Sequence, residues 1–326
     1  MAQSLFMTLC ANNPGVQISV LAPEWTRPLL QRMPQVQQTI GLPFGHGDLA
    51  WSKRREIARE IQKQRFDQAI VLPGSLKSAL IPFWAKIPQR IGFRGEMRYG
   101  LLNDIRPLDK SKLPRTVQRF VALGSPIESV LPDELPSPRL NVAVTEITKA
   151  LTRLNIEIKD QPILALCPGA EYGPAKRWPA SHFAELAQAQ IEKGWQIWLF
   201  GSDKDASITQ SINEKTDNKC LDLAGSTTLP EAVDLMSLAK VVVSNDSGLM
   251  HVAAALDKKV IALYGSSSPD FTPPLHAQAE IMSLNLDCSP CFKRECPLGH
   301  LNCLNNLSPN SVARRINENS TISRDC

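Results

Sequence analysis

The chain alternates between two spacings of apolar residues. Short runs that are apolar throughout, such as residues 163–167 (ILALC) and 241–244 (VVVS), read as buried strands; stretches whose apolar positions recur every three or four residues read as helices packed on them. In the first half this predicts strands at 16–21 and 68–72 and helices at 51–64 and 75–84. The second half repeats the pattern more regularly. Strands are expected at 163–167, 196–200, 220–223, 241–244 and 260–264, with helices at 180–193, within 206–215, and at 230–239 and 248–256. Strand–helix alternation of this kind implies α/β architecture with parallel sheets.

Prolines at 126, 132, 136 and 138 interrupt the pattern, because proline lacks a backbone donor and fixes φ. They place a linker region there and lead to two expected domains, 1–155 and 156–326, each doubly wound and facing the other across a cleft. In such sheets ligands bind beyond the carboxyl ends of the strands, so the loops after Cys167, Phe200, Ser244 and Tyr264 are expected to line the site.

Composition narrows the function classes. The 326 residues carry a formal charge of only +4, too mild to imply nucleic-acid binding. Residues 89–119, however, hold eight basic and three acidic side chains, which predicts one electropositive surface. No apolar run is long enough to cross a membrane and no signal-peptide pattern opens the chain, so a cytoplasmic location is expected.

Three loops carry candidate chemistry. In VVVSNDSGLMH (241–251) a buried strand breaks into polar residues and opens a helix. Asn245, Asp246 and Ser247 offer cap oxygens, and Gly248 leaves the amides approachable by a phosphate; His251 would then be a core or supporting residue. In CPGAEYGPAKRWP (167–179), Gly169 and Gly173 permit a tight turn that brings Lys176 or Arg177 to the same place. In FGSDKD (200–205), Asp205 could bind ribose hydroxyls, although an acid in a first helical turn needs no ligand. The Asp203–Asp205 pair also matches a short metal-binding pattern, which is discounted. A nicotinamide-dependent dehydrogenase would fit the alternation but lacks a G-x-G-x-x-G between strand and helix.

Together NDSGLMH, PGAEYGPAKRWP, YGSSSPDFTPP (264–274) and GFRGEMRYGLLND (92–104) resemble the heptosyltransferases of glycosyltransferase family 9. The resemblance implies a GT-B fold: two Rossmann-like domains, the first for a lipopolysaccharide acceptor and the second for ADP-heptose. It implies inverting transfer of heptose from ADP-L-glycero-D-manno-heptose to the first heptose of the inner core, with the enzyme peripheral at the inner face of the inner membrane. Carried over by position, Lys176 and Asp246 would be catalytic. Gly169, Ala170, Asp205, Asn245, Ser247, Gly248, Leu249 and His251 would join them in binding the donor. Lys77, Arg94 and Arg98 are the candidates for the acceptor's negative charge.

The sequence departs from the family in one place. Its first six residues already read as a helix, so the first strand and the glycine–aspartate loop expected to supply a general base have no counterpart. That absence predicts an incomplete first sheet. It opens the alternatives of a start codon placed internally or a catalytically defective remnant; His46 or Glu96 would be substitute bases.

Late in the chain Cys288, Cys291, Cys296 and Cys303 crowd together, with His300 among them. In a reducing compartment this spacing suits a structural zinc site, packed reduced thiols or, less readily, an iron–sulfur cluster, while the transfer chemistry itself requires no cofactor.

Overall fold

Residues 1–45, 47–127 and 129–317 are described by the computed structural model, in which the chain divides between Ser137 and Pro138 into two units. The first runs α1 (Ala2–Asn12), β1 (Ile18–Pro23), α2 (Arg27–Leu30), β2 (Val36–Leu42), α3 (Trp51–Lys63), β3 (Gln68–Ile70), α4 (Leu80–Trp84), β4 (Gln89–Phe93), β5 (Asp104–Arg106) and α5 (Thr116–Leu123). The second runs α6 (Val144–Leu154), β6 (Ile163–Cys167), α7 (Ala180–Ile191), β7 (Gln196–Leu199), α8 (Ala206–Glu214), β8 (Leu221–Asp222), α9 (Leu229–Met236), β9 (Val241–Asn245), α10 (Gly248–Ala255), β10 (Lys259–Leu263), β11 (Glu280–Met282), α11 (Asn302–Asn305) and α12 (Pro309–Asn317).

The division falls earlier than the 155/156 boundary expected from the sequence. Helix α6 packs on α9, where Arg153 pairs with Glu231 and donates to the Ser226 carbonyl at 2.8 Å, so α6 belongs to the second unit.

The second unit is built on six parallel strands in the order β11-β10-β9-β6-β7-β8. Every residue of β6, β9 and β10 is buried, which is why these strands read as unbroken apolar runs rather than as alternation. Chain direction across the sheet reverses between β6 and β9, the first strand and its neighbour on the other side. That switch point leaves a crevice at their carboxyl ends, where Cys167 and Asn245 finish. Trp178, Phe183 and Leu186 pack in one core with Leu304 of α11, Val312 of α12 and Leu307 between them.

The first unit has its parallel strands in two pieces, β2-β1 and β3-β4-β5, with no ladder between β1 and β3 among the described residues. Helix α1 begins at Ala2. Leu5 and Phe6 of α1 bury against Ile18 and Val20 of β1 and against Ile70 and Leu72, so one apolar cluster spans both pieces. Among the described residues no helix is long and apolar enough to cross a membrane.

Candidate functional site

The loops leaving β6 and β9 are stapled by one side chain. Asn245 donates from Nδ2 to the Pro168 carbonyl at 2.7 Å and accepts the Trp178 amide on Oδ1 at 3.1 Å. Trp178 is itself fixed by its indole N–H, 2.8 Å from the Leu307 carbonyl. The loop between these anchors therefore has little freedom, and it presents Lys176. Gly173 sits at φ +152°, and a Cβ there would stand 2.6 Å from the Arg294 carbonyl, so the tight turn requires glycine.

Lys176 Nζ lies 2.5 Å from Asp246 Oδ2, with the lysine side chain 18% and the aspartate 5% exposed. The ammonium also stands 5.1 Å from the Tyr172 ring centroid, within cation–π range. Two loops distant in sequence thus meet at the switch point through opposite charges.

Beside that pair, α10 opens. The sequence suggested that Asn245, Asp246 and Ser247 would cap it, but these side chains are committed elsewhere. Asn245 staples the loops, Asp246 pairs with Lys176, and the Ser247 hydroxyl, 3.2 Å from that of Ser244, makes no cap bond. Gly248 is exposed and a Cβ there would meet nothing within 4 Å. The first amides of α10, at the positive end of its dipole, consequently face open space beside a lysine.

The floor is neutral. Burial pushes the Cys167 thiol up to about 12, raises the Tyr264 phenol and pulls the His251 imidazole down to about 4. Asp205 stands at the rim, where a Cβ on Gly169 would come 2.5 Å from its Oδ1. Its other oxygen takes the Ser202 amide and hydroxyl at 3.0 and 2.8 Å, so Asp205 caps its own turn while facing the Gly169–Ala170 loop. Of the donor-site candidates, Asn245 ends β9, and Gly169, Ala170, Lys176, Asp205, Asp246, Ser247, Gly248, Leu249 and His251 fall on the loops or first helical turns after β6, β7 and β9.

The prediction for residues 89–119 is corrected at Arg98, whereas Arg94, Lys110, Lys112 and Arg115 are exposed. Arg98 is fully buried; its guanidinium donates to the Pro73 carbonyl at 2.7 Å and to those of Phe93 and Arg94, so it cannot meet an acceptor. Arg90 holds the Leu101 and Ile87 carbonyls, and Arg106 pairs with Asp104. These arginines satisfy loop carbonyls that strands leave open. Lys77 is half-buried and Arg94 exposed, on adjoining loops that Glu96 links by accepting the Leu76 amide at 2.9 Å. Glu96, weighed as a substitute base, thus serves as a cap; His46 lies outside the described residues.

Two features escaped the sequence reading. Ser266 and Ser267, in the loop after β10, bury hydroxyls that have no hydrogen-bond partner. Tyr172 reaches the cysteine segment, its hydroxyl 2.8 Å from the Phe292 carbonyl. The motif YGSSSPDF was the available signal for the first; nothing local announces the second. The four late cysteines are free and line one cavity of about 20 Å³. Burial and the neighbouring Cys288, Cys296 and Cys291 raise the Cys303 thiol, whereas backbone amides, that of Leu301 foremost, lower Cys296. As they stand, no group of three or more His, Cys, Asp or Glu side chains among the described residues is arranged to hold a metal ion.

Residues 54–302 match the pattern of "Glycosyltransferase family 9 (heptosyltransferase)". Lipopolysaccharide heptosyltransferase 2 of Escherichia coli K12 is 45% identical, over 97% of this chain and 93% of that protein. Its counterpart in Salmonella typhimurium LT2 is 46% identical with the same coverage. The solved E. coli ADP-heptose lipopolysaccharide heptosyltransferase II superposes with a TM-score of 0.85 at 43% identity, covering 97% of this chain and 93% of that one. A glycosyltransferase family 9 structure from Veillonella parvula gives 0.83 at 20% identity, a likeness of fold.

Proposed function

The chain belongs to glycosyltransferase family 9, and from that premise we propose that the crevice at the ends of β6 and β9 holds the diphosphate of ADP-heptose. The protein is a glycosyltransferase of the GT-B class that transfers heptose in building the lipopolysaccharide inner core. The finer reading is inverting transfer from ADP-L-glycero-D-manno-heptose to the first heptose of that core. It is supported chiefly by the Lys176–Asp246 pair standing beside the uncapped start of α10 at the switch point.

In this reading an acceptor hydroxyl attacks the anomeric carbon, ADP departs from the opposite side, and the hydroxyl proton passes to solvent water. Negative charge grows on the diphosphate as the bond breaks, and Lys176 with the amides of Ser247, Gly248 and Leu249 is placed to stabilise it, so the step calls on no metal. A bound diphosphate draws Lys176 from Asp246, freeing that carboxylate to accept hydrogen bonds from the heptose. Asn245 and neutral His251 hold the loop in place, Gly169 and Ala170 let the nucleotide approach the backbone, and Asp205 takes ribose. Lys77 and Arg94 are the cationic residues proposed to meet the anionic acceptor, at the inner face of the cytoplasmic membrane.

Thermal melting tests the assignment. ADP raises the melting temperature and NAD does not; Lys176→Ala and Asp246→Ala each abolish the ADP shift, with affinity lowered at least about 10-fold, as expected for loss of a charge-assisted contact of roughly 1.5–3 kcal/mol. If ADP binds both variants as it binds the parent chain, the site is misplaced.

A further inference from the structure

The strongest feature left unused by the transfer reaction is the knot of residues 288–303. Cys288, Cys291 and Cys296 come from an irregular segment and Cys303 from the start of α11, yet all four line the same cavity of about 20 Å³, room for a single ion or water. Ser266 shares its lining and buries a hydroxyl with no partner. Around Cys296 the backbone turns back on itself: the Gly299 amide donates to the Cys296 carbonyl at 3.1 Å, and Gly299 and Leu301 stand at positive φ. Phe292, following Cys291, is likewise at positive φ. Among the described residues these side chains do not already form a metal-holding group.

We propose that these four cysteines form a structural site for one Zn²⁺, each sulfur moving in to about 2.3 Å from the ion in a closed tetrahedron. Thiolate ligands and a closed set of four favour zinc over magnesium or calcium, which take oxygen. Binding releases the remaining thiol protons to solvent, with no redox change.

The knot also braces the loop that carries Lys176. The Ala175 amide donates to the Arg294 carbonyl at 3.0 Å, the Phe292 amide to the Ser266 carbonyl at 2.7 Å, and the Ser289 hydroxyl to the Gly265 carbonyl. A metal locking residues 288–303 therefore fixes the loops after β6 and β10 as well.

The test uses the full chain, reduced and free of nucleotide, so that its outcome is independent of the donor assignment. One Zn²⁺ is expected to bind per chain, and Co²⁺ in its place should give the intense near-ultraviolet thiolate-to-cobalt charge-transfer absorption of a sulfur-rich tetrahedral site. Cys291→Ser should weaken binding at least about 10-fold, as should Cys303→Ser, while Cys10→Ser leaves it unchanged. A chain that takes up no zinc overturns the proposal, as does cobalt bound without that absorption or zinc held equally well by all three variants. ADP melting shifts on the same samples report the nucleotide site separately: a normal shift without zinc uptake sinks only the metal site, and zinc uptake without a shift sinks only the donor site.

Discussion

The two units contain parallel sheets that differ at their centres. In the second, β6 and β9 pair from Leu164–Val241 to Cys167–Ser244, so the ends of two buried strands are fixed side by side and the loops they emit start from a rigid base. In the first, among the described residues, β1 and β3 have no ladder between them and are joined through apolar side chains, those of α1 and α3 included. Hydrophobic contact keeps elements near each other; a hydrogen-bonded ladder sets their register. The charged pair of the second unit depends on that register, because Lys176 and Asp246 are 70 residues apart in sequence and must meet within 2.5 Å.

Substitutions on either side sharpen the contrast. Trp178→Ala should have the largest effect: it empties a fully buried ring and severs the bonds to Leu307, costing about 3–5 kcal/mol in urea unfolding. It should also remove the ADP melting shift, since Lys176 sits two residues away. Leu5→Ala in the first unit should cost less, about 2–3 kcal/mol, because the partly buried side chains around it can close on the space, and it should leave the ADP shift intact. Equal losses from the two variants, or loss of ADP binding in both, would break the comparison.

The smallest effect is one of pH. His251 has its folded value pulled from 6.5 to about 4 by burial, so the folded state resists a proton that the unfolded chain accepts. The stability this neutral imidazole contributes is fully present above pH 6.5 and is lost as pH falls through about 4. Urea midpoints measured at pH 7, 5.5 and 4.5 should decline, and His251→Gln should flatten the decline. An unchanged slope in the variant would assign the acid sensitivity to other groups.

How much of this was legible follows the same division. Strands β6 and β9 are buried throughout, so their apolar runs mark them, and the polar break after each locates Lys176 and Asp246. Strands β2, β4 and β5 were not read. Val36–Leu42 carries Gln37 and Gln38 on an exposed stretch and Gln89–Phe93 alternates imperfectly, because neither sheet piece is covered evenly. Arg90, Arg98 and Arg106 misled for a related reason. A guanidinium that holds loop carbonyls and one that faces water look alike along the chain, and the carbonyls that decide it, such as Pro73 for Arg98, lie in another loop. The cysteines could be counted but their shared cavity could not, since Ala175 and Ser266 complete it from distant loops.

Asn245 carries one more consequence. Its amide gives a proton to Pro168 and takes one from Trp178, so the position calls for a group that is donor at one end and acceptor at the other. Aspartate matches it atom for atom in outline yet would set two electron-rich oxygens face to face at the Pro168 contact. The identity of this residue is therefore dictated by the polarity of its two terminal atoms, and a change too small to alter its shape would pry the strand ends apart.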